Sequence, residues 1–136
     1  MKKIIRHYEL PAPSTDTISE ATFCLDGANA LIRFDYFCDN CPKRSGLLFR
    51  GVISTQYCSE KYATSRQTKS FDVLREIVDS EWIKNTCGDR YGNKLPRHFV
   101  FYFDSVGGFE VLADDFEVLP EELGSWEELN NSLMPS

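Results

Sequence analysis

Ser70-Phe71-Asp72-Val73-Leu74-Arg75-Glu76-Ile77-Val78-Asp79-Ser80-Glu81-Trp82 is the stretch on which the reading of the fold turns. Phe71, Leu74, Ile77, Val78 and Trp82 fall at helical spacing. Ser70 stands where a cap belongs, and Asp72 suits the positive end of a helix dipole. The spacing predicts one amphipathic helix whose apolar stripe packs on a sheet. Downstream, Asn85 to Pro96 is rich in Gly, Asn, Asp and Pro and reads as a loop. His98 to Asp104 then alternates, with Phe99, Phe101 and Phe103 on one face and His98, Val100, Tyr102 and Asp104 on the other. Ser105-Val106-Gly107-Gly108 makes a turn, and Phe109, Val111 and Ala113 share a face on the return. This is a β-hairpin.

The remaining chain fills in around that pair of elements. Asp114 to Pro120 is a short strand or a single helical turn. Ser125 with Glu128 forms a capping box that opens a short helix carrying Trp126, Leu129 and Leu133. Upstream, Ala21-Thr22-Phe23-Cys24-Leu25 and Ala30 to Phe37 flank a Gly-containing turn and read as a second hairpin. Leu47 to Ile53 is a third strand, continuing through a bulge at Gly51 toward Tyr57-Cys58. Ser59 to Lys69 is polar, a strand or a loop. Residues 1–19 contain the breaker cluster Pro11-Ala12-Pro13-Ser14-Thr15 and are expected to be poorly ordered beyond one short edge strand with Ile4, Ile5, Tyr8 and Leu10. The expected class is α+β: a curved antiparallel sheet of about five to seven strands on one main amphipathic helix, with a short C-terminal helix. No strand–helix–strand alternation, G-x-G-x-x-G or P-loop is present.

At 136 residues the chain fits one domain, 1–136, and its 13% aromatic content excludes wholesale disorder. No apolar run approaches the roughly 18 residues of a membrane span. No apolar segment follows the basic residues of the start, so a secretory signal is not expected. Five cysteines, an odd count, then read as reduced and cytoplasmic. Cys38-Asp39-Asn40-Cys41 is the only C-x-x-C. It leads into Pro42-Lys43-Arg44-Ser45-Gly46, which is turn chemistry rather than a helix start, and no second close pair completes a zinc site. No metal and no cofactor are expected.

Net charge is −6 with a pI near 4.9, which argues against nucleic-acid and anionic-membrane binding. The distribution is uneven. From His98 to Ser136 there is no Lys or Arg, and nine acidic residues give −9, leaving +3 on residues 1–97. Within this segment Asp114, Asp115, Glu117, Glu121 and Glu122 cluster, followed by Trp126 beside Glu127 and Glu128. These carboxylates and the indole are the candidate partner-binding residues, because clustered acids mark interaction surfaces and Trp is a common anchor. Solubility alone accounts for the same acids. Docking of the last helix accounts for the same Trp. Catalytic candidates are fewer. A nucleophile needs a positioned base, and only His7 and His98 are available; neither G-x-S-x-G nor H-E-x-x-H is present. No catalytic residue is assigned.

The segment Arg97 to Ala113, preceded by Ser80-Glu81-Trp82, resembles a pattern in small uncharacterised bacterial proteins. It consists of core residues, so the resemblance speaks to fold. In size, acidity and lack of catalytic motifs the chain is also similar to immunity proteins that neutralise bacterial toxins. That similarity implies a non-catalytic cytoplasmic binding protein, an acidic inhibitor of a basic toxin such as a nuclease. Its carboxylates would stand in for phosphates. Two other readings stay open: a small-molecule-binding domain with an aromatic pocket between sheet and helix, and an enzyme using His98 or the cysteine pair.

Overall fold

Two antiparallel sheets face one another across an aromatic core in the computed structural model, which describes residues 4–87 and 95–133. In chain order the strands are β1 (Ile4–Glu9), β2 (Thr22–Asp26), β3 (Asn29–Cys38), β4 (Cys41–Arg50), β5 (Ser54–Ser59), β6 (Val73–Ile77), β7 (Arg97–Phe103), β8 (Gly107–Ala113), β9 (Asp115–Val118) and β10 (Glu122–Leu123). The helices are α1 (Ser65–Thr68), α2 (Glu81–Cys87) and α3 (Trp126–Leu133). The first sheet has the order β1-β6-β7-β8-β5. The second runs β2-β3-β4, and β9 and β10 both pair with the far side of β4.

The alternation read in the sequence sets which side chains meet. Phe99, Phe101 and Phe103 of β7 and Phe109 and Val111 of β8 point inward, against Ile32, Phe34 and Tyr36 of β3 and Leu47 and Phe49 of β4. Phe34 meets Phe103 at 5.9 Å and Phe49 meets Phe99 at 5.5 Å between ring centres, so the two sheets are joined aromatic to aromatic. The chain passes from one sheet to the other at Gly51, which has φ +65°, a left-handed backbone that favours glycine. The crossing shows in consecutive hydrogen bonds. The Val52 amide donates to the Ala28 carbonyl on the second sheet's side, and the Ile53 amide donates to Leu112 of the first.

The predicted helix over 70–82 is not formed, and the α+β expectation is corrected to a mostly β architecture of two sheets. Ser70 is no cap: its carbonyl accepts from the amides of Val73 and Tyr102. Asp72 and Asp79 both have φ 60°, and between them the chain runs extended as β6, flanked by β1 and β7. A left-handed residue at each end is incompatible with a continuous helix, and Asp is one of the few non-glycine residues that tolerates it. Trp82 belongs to α2, where it packs beside Ile83, Cys87 and Leu112 on the outer face of the first sheet. The three helices have four, seven and eight residues, so none covers a sheet. Among the described residues, no helix is long and apolar enough to cross a membrane.

Other segments follow their local chemistry. Residues 59–69, read as strand or loop, form a 3-10 turn at Glu60–Tyr62 and then α1, capped by a Thr64–Gln67 box. The β3–β4 turn is Asp39-Asn40, with φ 54° and 62°, which is type I′ chemistry; it sets Cys38 opposite Cys41 at the hairpin end. All five thiols are free.

A helical stripe would make Phe71 and Leu74 equally costly to truncate. The strand makes them unequal: Leu74 is fully buried, whereas Phe71 is 41% exposed. Leu74→Ala is expected to cost about 2–5 kcal/mol. Phe71→Ala should cost less than half of that, as urea unfolding would measure; equal losses would restore the helical reading.

Candidate functional site

Asp115, Glu117, Glu121 and Glu122 gather along β4. β9 runs antiparallel to β4 in a register that sets Asp115 opposite Arg50 and Glu117 opposite Leu48. Positions two apart share a face, so both carboxylates stand on the outer side of the second sheet. Arg50 reaches both: one Nη lies 3.3 Å from Asp115 Oδ1, and the other pairs with Glu117. Glu122 on β10 faces Arg44 at 2.8 Å. Glu121 turns to the opposite side of the chain, where Lys43 is 3.1 Å away and the Tyr36 hydroxyl donates to it. Asp114 is exposed and sits against Gly51, where a Cβ would overlap its carboxylate.

These contacts shift proton affinities. The Tyr36 and Lys43 hydrogen bonds hold the Glu121 carboxyl below the usual range. Burial first, and then Glu121, push the Tyr36 hydroxyl above the usual tyrosine range. The Tyr8 hydroxyl is pushed up to about 12 by burial and by Glu121.

Trp126 joins this face through a fixed geometry. Its indole N–H donates to the carbonyls of Phe34 at 3.0 Å and Ser45 at 2.9 Å, and its backbone amide donates to Asp35 at 3.1 Å. The guanidinium groups of Arg33 and Arg44 lie 4.7 and 5.7 Å from the indole ring centre. The Ser125 hydroxyl accepts from the Glu128 amide, which is the serine half of the predicted capping box. Trp126 therefore docks α3 on the outer side of the second sheet. Five of the six candidates, Asp114, Asp115, Glu117, Glu122 and Trp126, belong to this side or its rim, and Glu121 faces away. The sequence did not show that β4 supplies a cation to each of Asp115, Glu117, Glu121 and Glu122. The turn read over 42–46 is corrected: Lys43 and Arg44 belong to β4, which starts at Cys41, and their pairing partners leave no mark in the local sequence.

A second polar cluster lies on the outer side of the first sheet. Glu110 on β8 has no exposed surface, and His98 on β7 is 1% exposed. Glu110 accepts from His98 Nε2 at 2.7 Å and from Gln67 of α1 at 2.8 Å, and the Arg66 guanidinium is also 2.8 Å away. His98 Nδ1 is 2.7 Å from the Ser80 hydroxyl, which in turn accepts from the Ile83 amide. A hydroxyl, an imidazole and a carboxylate in series are the parts of a hydrolytic relay. Ser80 is only 3% exposed, and its oxygen caps α2, so it presents no nucleophile to solvent. The series ties α1, α2, β7 and β8 together. It was legible in part: the hairpin alternation puts His98 and Glu110 on one face, and the register makes them diagonal neighbours. His7, the other histidine, bonds Glu76 at 2.7 Å, and Glu76 also accepts from Arg97. Among the described residues, no three of His, Cys, Asp and Glu are grouped so as to hold a metal ion.

Comparison with known proteins assigns no family: no family model, no curated protein and no solved structure matches the chain.

Burial pushes the Glu110 carboxyl up, but the hydrogen bonds from His98 and Gln67 and the Arg66 charge outweigh it and hold it below the usual range. A carboxyl depressed on folding adds stability that is complete above its unfolded value, about 4.3, and is lost as pH falls through the folded value. Glu76 behaves alike: burial raises its carboxyl, and Arg97 and His7 more than offset that. Unfolding midpoints in urea should therefore drop as pH falls below about 4. Glu110→Gln should cost about 3 kcal/mol or more at neutral pH. It should also flatten the acid-side loss, leaving the share carried by Glu76. An unchanged acid slope would mean that Glu110 is not ionised in the folded protein.

Proposed function

We propose that the protein is a non-catalytic binding protein whose acidic edge, formed by β9, β10 and the start of α3, docks a basic protein partner. An inhibitor of a basic toxin of nuclease type works in this way. The observation that carries the reading is the excess of carboxylate on this edge. Arg50 is shared by two acids, Asp115 and Glu117. Asp114, Glu127 and Glu128 make no ion pair among the described residues. The edge thus stays negative after its own cations are counted.

The internal pairs help docking. Exposed ion pairs contribute about 1 kcal/mol or less, so a partner's Lys or Arg can join them without a large loss. Meanwhile Arg50 and Arg44 hold their carboxylates on strands in one orientation, which reduces the ordering cost of association. Trp126, clamped by two carbonyls and half-buried, fixes the start of α3 on this face and so keeps Glu127 and Glu128 beside β10.

The test takes a basic protein captured by pull-down on the wild-type chain and titrates it against the wild-type chain and against Glu117→Lys/Glu122→Lys. Both positions are exposed, so the double reversal should keep the fold at a cost of about 1 kcal/mol per lost pair. Affinity should fall ~10-fold or more, and the wild-type association rate should fall as salt shortens the screening length to about 8 Å. Equal affinity of both chains, with no salt dependence of the rate, would remove the acidic edge as a docking surface.

A further inference from the structure

On the opposite side of the molecule, the outer face of the first sheet carries a groove of opposite charge. A cavity of about 610 Å³ is lined by Ile4, Arg6, Glu9, Lys69, Phe71, Val73 and Arg75. It adjoins a second, of about 240 Å³, which shares Ile4, Lys69 and Arg75 and adds Arg66 and Ile77. Glu9 is the only acid in either lining.

Two features mark this groove as more than a solvated basic surface. Arg6 and Arg75 are direct partners across β1 and β6, and like charges at directly opposed positions repel. Most other described Lys and Arg side chains are balanced: Lys43, Arg44, Arg50, Lys84 and Arg97 are in ion pairs, and Arg33 lies on Trp126. Arg6, Lys69 and Arg75 make no ion pair among the described residues, although the chain has 21 acidic residues to offer. Arg66, at the groove's end, is already held by Glu110 and keeps a buried Nε without a partner. Three unbalanced cations are thus concentrated in one concavity of an acidic protein.

We infer that this groove binds a small organic phosphate of nucleotide size. Guanidinium forks on neighbouring strands match a phosphoryl group bidentately, and Lys69 adds a third charge from the end of α1. A bare ion would leave most of 610 Å³ empty; that volume falls in the range of small-molecule sites, about 300–1,000 Å³. The remaining wall is apolar. Phe71 is 41% exposed, its ring braced on Tyr102 at 5.5 Å, and it offers a flat surface to a planar group. Glu9 supplies the one acceptor, which suits a ligand hydroxyl. Bound phosphate would also relieve the Arg6–Arg75 repulsion, so ligand and fold would stabilise one another.

The test titrates ADP, with adenosine as the uncharged comparator, into the full chain by calorimetry, and follows the melting temperature in parallel. ADP is expected to bind and to raise the melting temperature, and adenosine to do neither. Arg75→Gln and, on a different element, Lys69→Gln should each weaken ADP binding ~10-fold, by 1.4 kcal/mol per tenfold change. Using both keeps the result readable if one variant folds poorly. Absence of binding at millimolar ADP overturns the inference, as does equal affinity of adenosine or of both variants. Self-association that Arg75→Gln abolishes, with no response to ADP, also overturns it. In that case the groove receives the acidic edge of a second copy.

Discussion

A carboxylate with no exposed surface sits in the middle of the first sheet, and the outer layer of the molecule is organised by the need to answer its charge. Burying Glu110 unpaired would cost several kcal/mol, more than one ordinary contact returns. His98 answers from the neighbouring strand, Gln67 and Arg66 from α1, and Ser80 completes the chain by holding the imidazole from its far side. Short helices are poor structures by themselves, and four and seven residues are far below what is stable in isolation. α1 persists because its capping glutamine is also a Glu110 ligand. α2 persists because its capping serine is also a His98 ligand. Gly108 fits the same demand, since a Cβ there would run into the Gln67 side chain.

The second sheet solves its charges differently, at the surface and in pairs. β4 sends Lys43, Arg44 and Arg50 toward β9 and β10, and the acids there are returned by a chain that has first crossed to the other sheet and back. The crossing at Gly51 makes this possible. It takes β5 away from β4 and leaves β4 with a free side for β9 and β10 to occupy. The two edge strands are short and charged, features that discourage pairing with other chains. They still display their carboxylates on one side.

How much of this the sequence showed depended on whether a segment's pattern had one interpretation. Phe99, Phe101 and Phe103, a Gly-Gly turn, then Phe109 and Val111, fit only a hairpin, and the register followed. The stretch from Phe71 to Trp82 fits two. Apolar residues at 71, 74, 77 and 78 satisfy a helix, yet Leu74 and Ile77 serve equally as residues of a short strand buried on both faces. What decides is Asp72 and Asp79 at φ 60°, and a positive φ leaves no mark on hydrophobic spacing. Propensity lost to tertiary pairing with β1 and β7. At the candidate site, the acidic cluster was plain in the sequence. Its neutralisation was not, because Arg50 and Asp115 are 65 positions apart and only strand pairing brings them together.

The charge asymmetry along the chain becomes an asymmetry in space because of where the acidic segment threads. β7 and β8 lie in the first sheet and could have carried acids to the basic groove on its outer face. Between His98 and Ala113 they and their turn contribute only Asp104 and Glu110. Glu110 is consumed inside the fold, where it takes Arg66, and Asp104 lies in the turn at the hairpin's end. The remaining acids appear only after Ala113, once the chain has left for the edge of the second sheet. Neither outer face therefore cancels the other. The two sheets and the aromatic core between them separate an acidic edge from a groove that keeps Arg6, Lys69 and Arg75 available. A partner that recognised either charge would meet a single side of the molecule, and the field of the whole chain would steer it there.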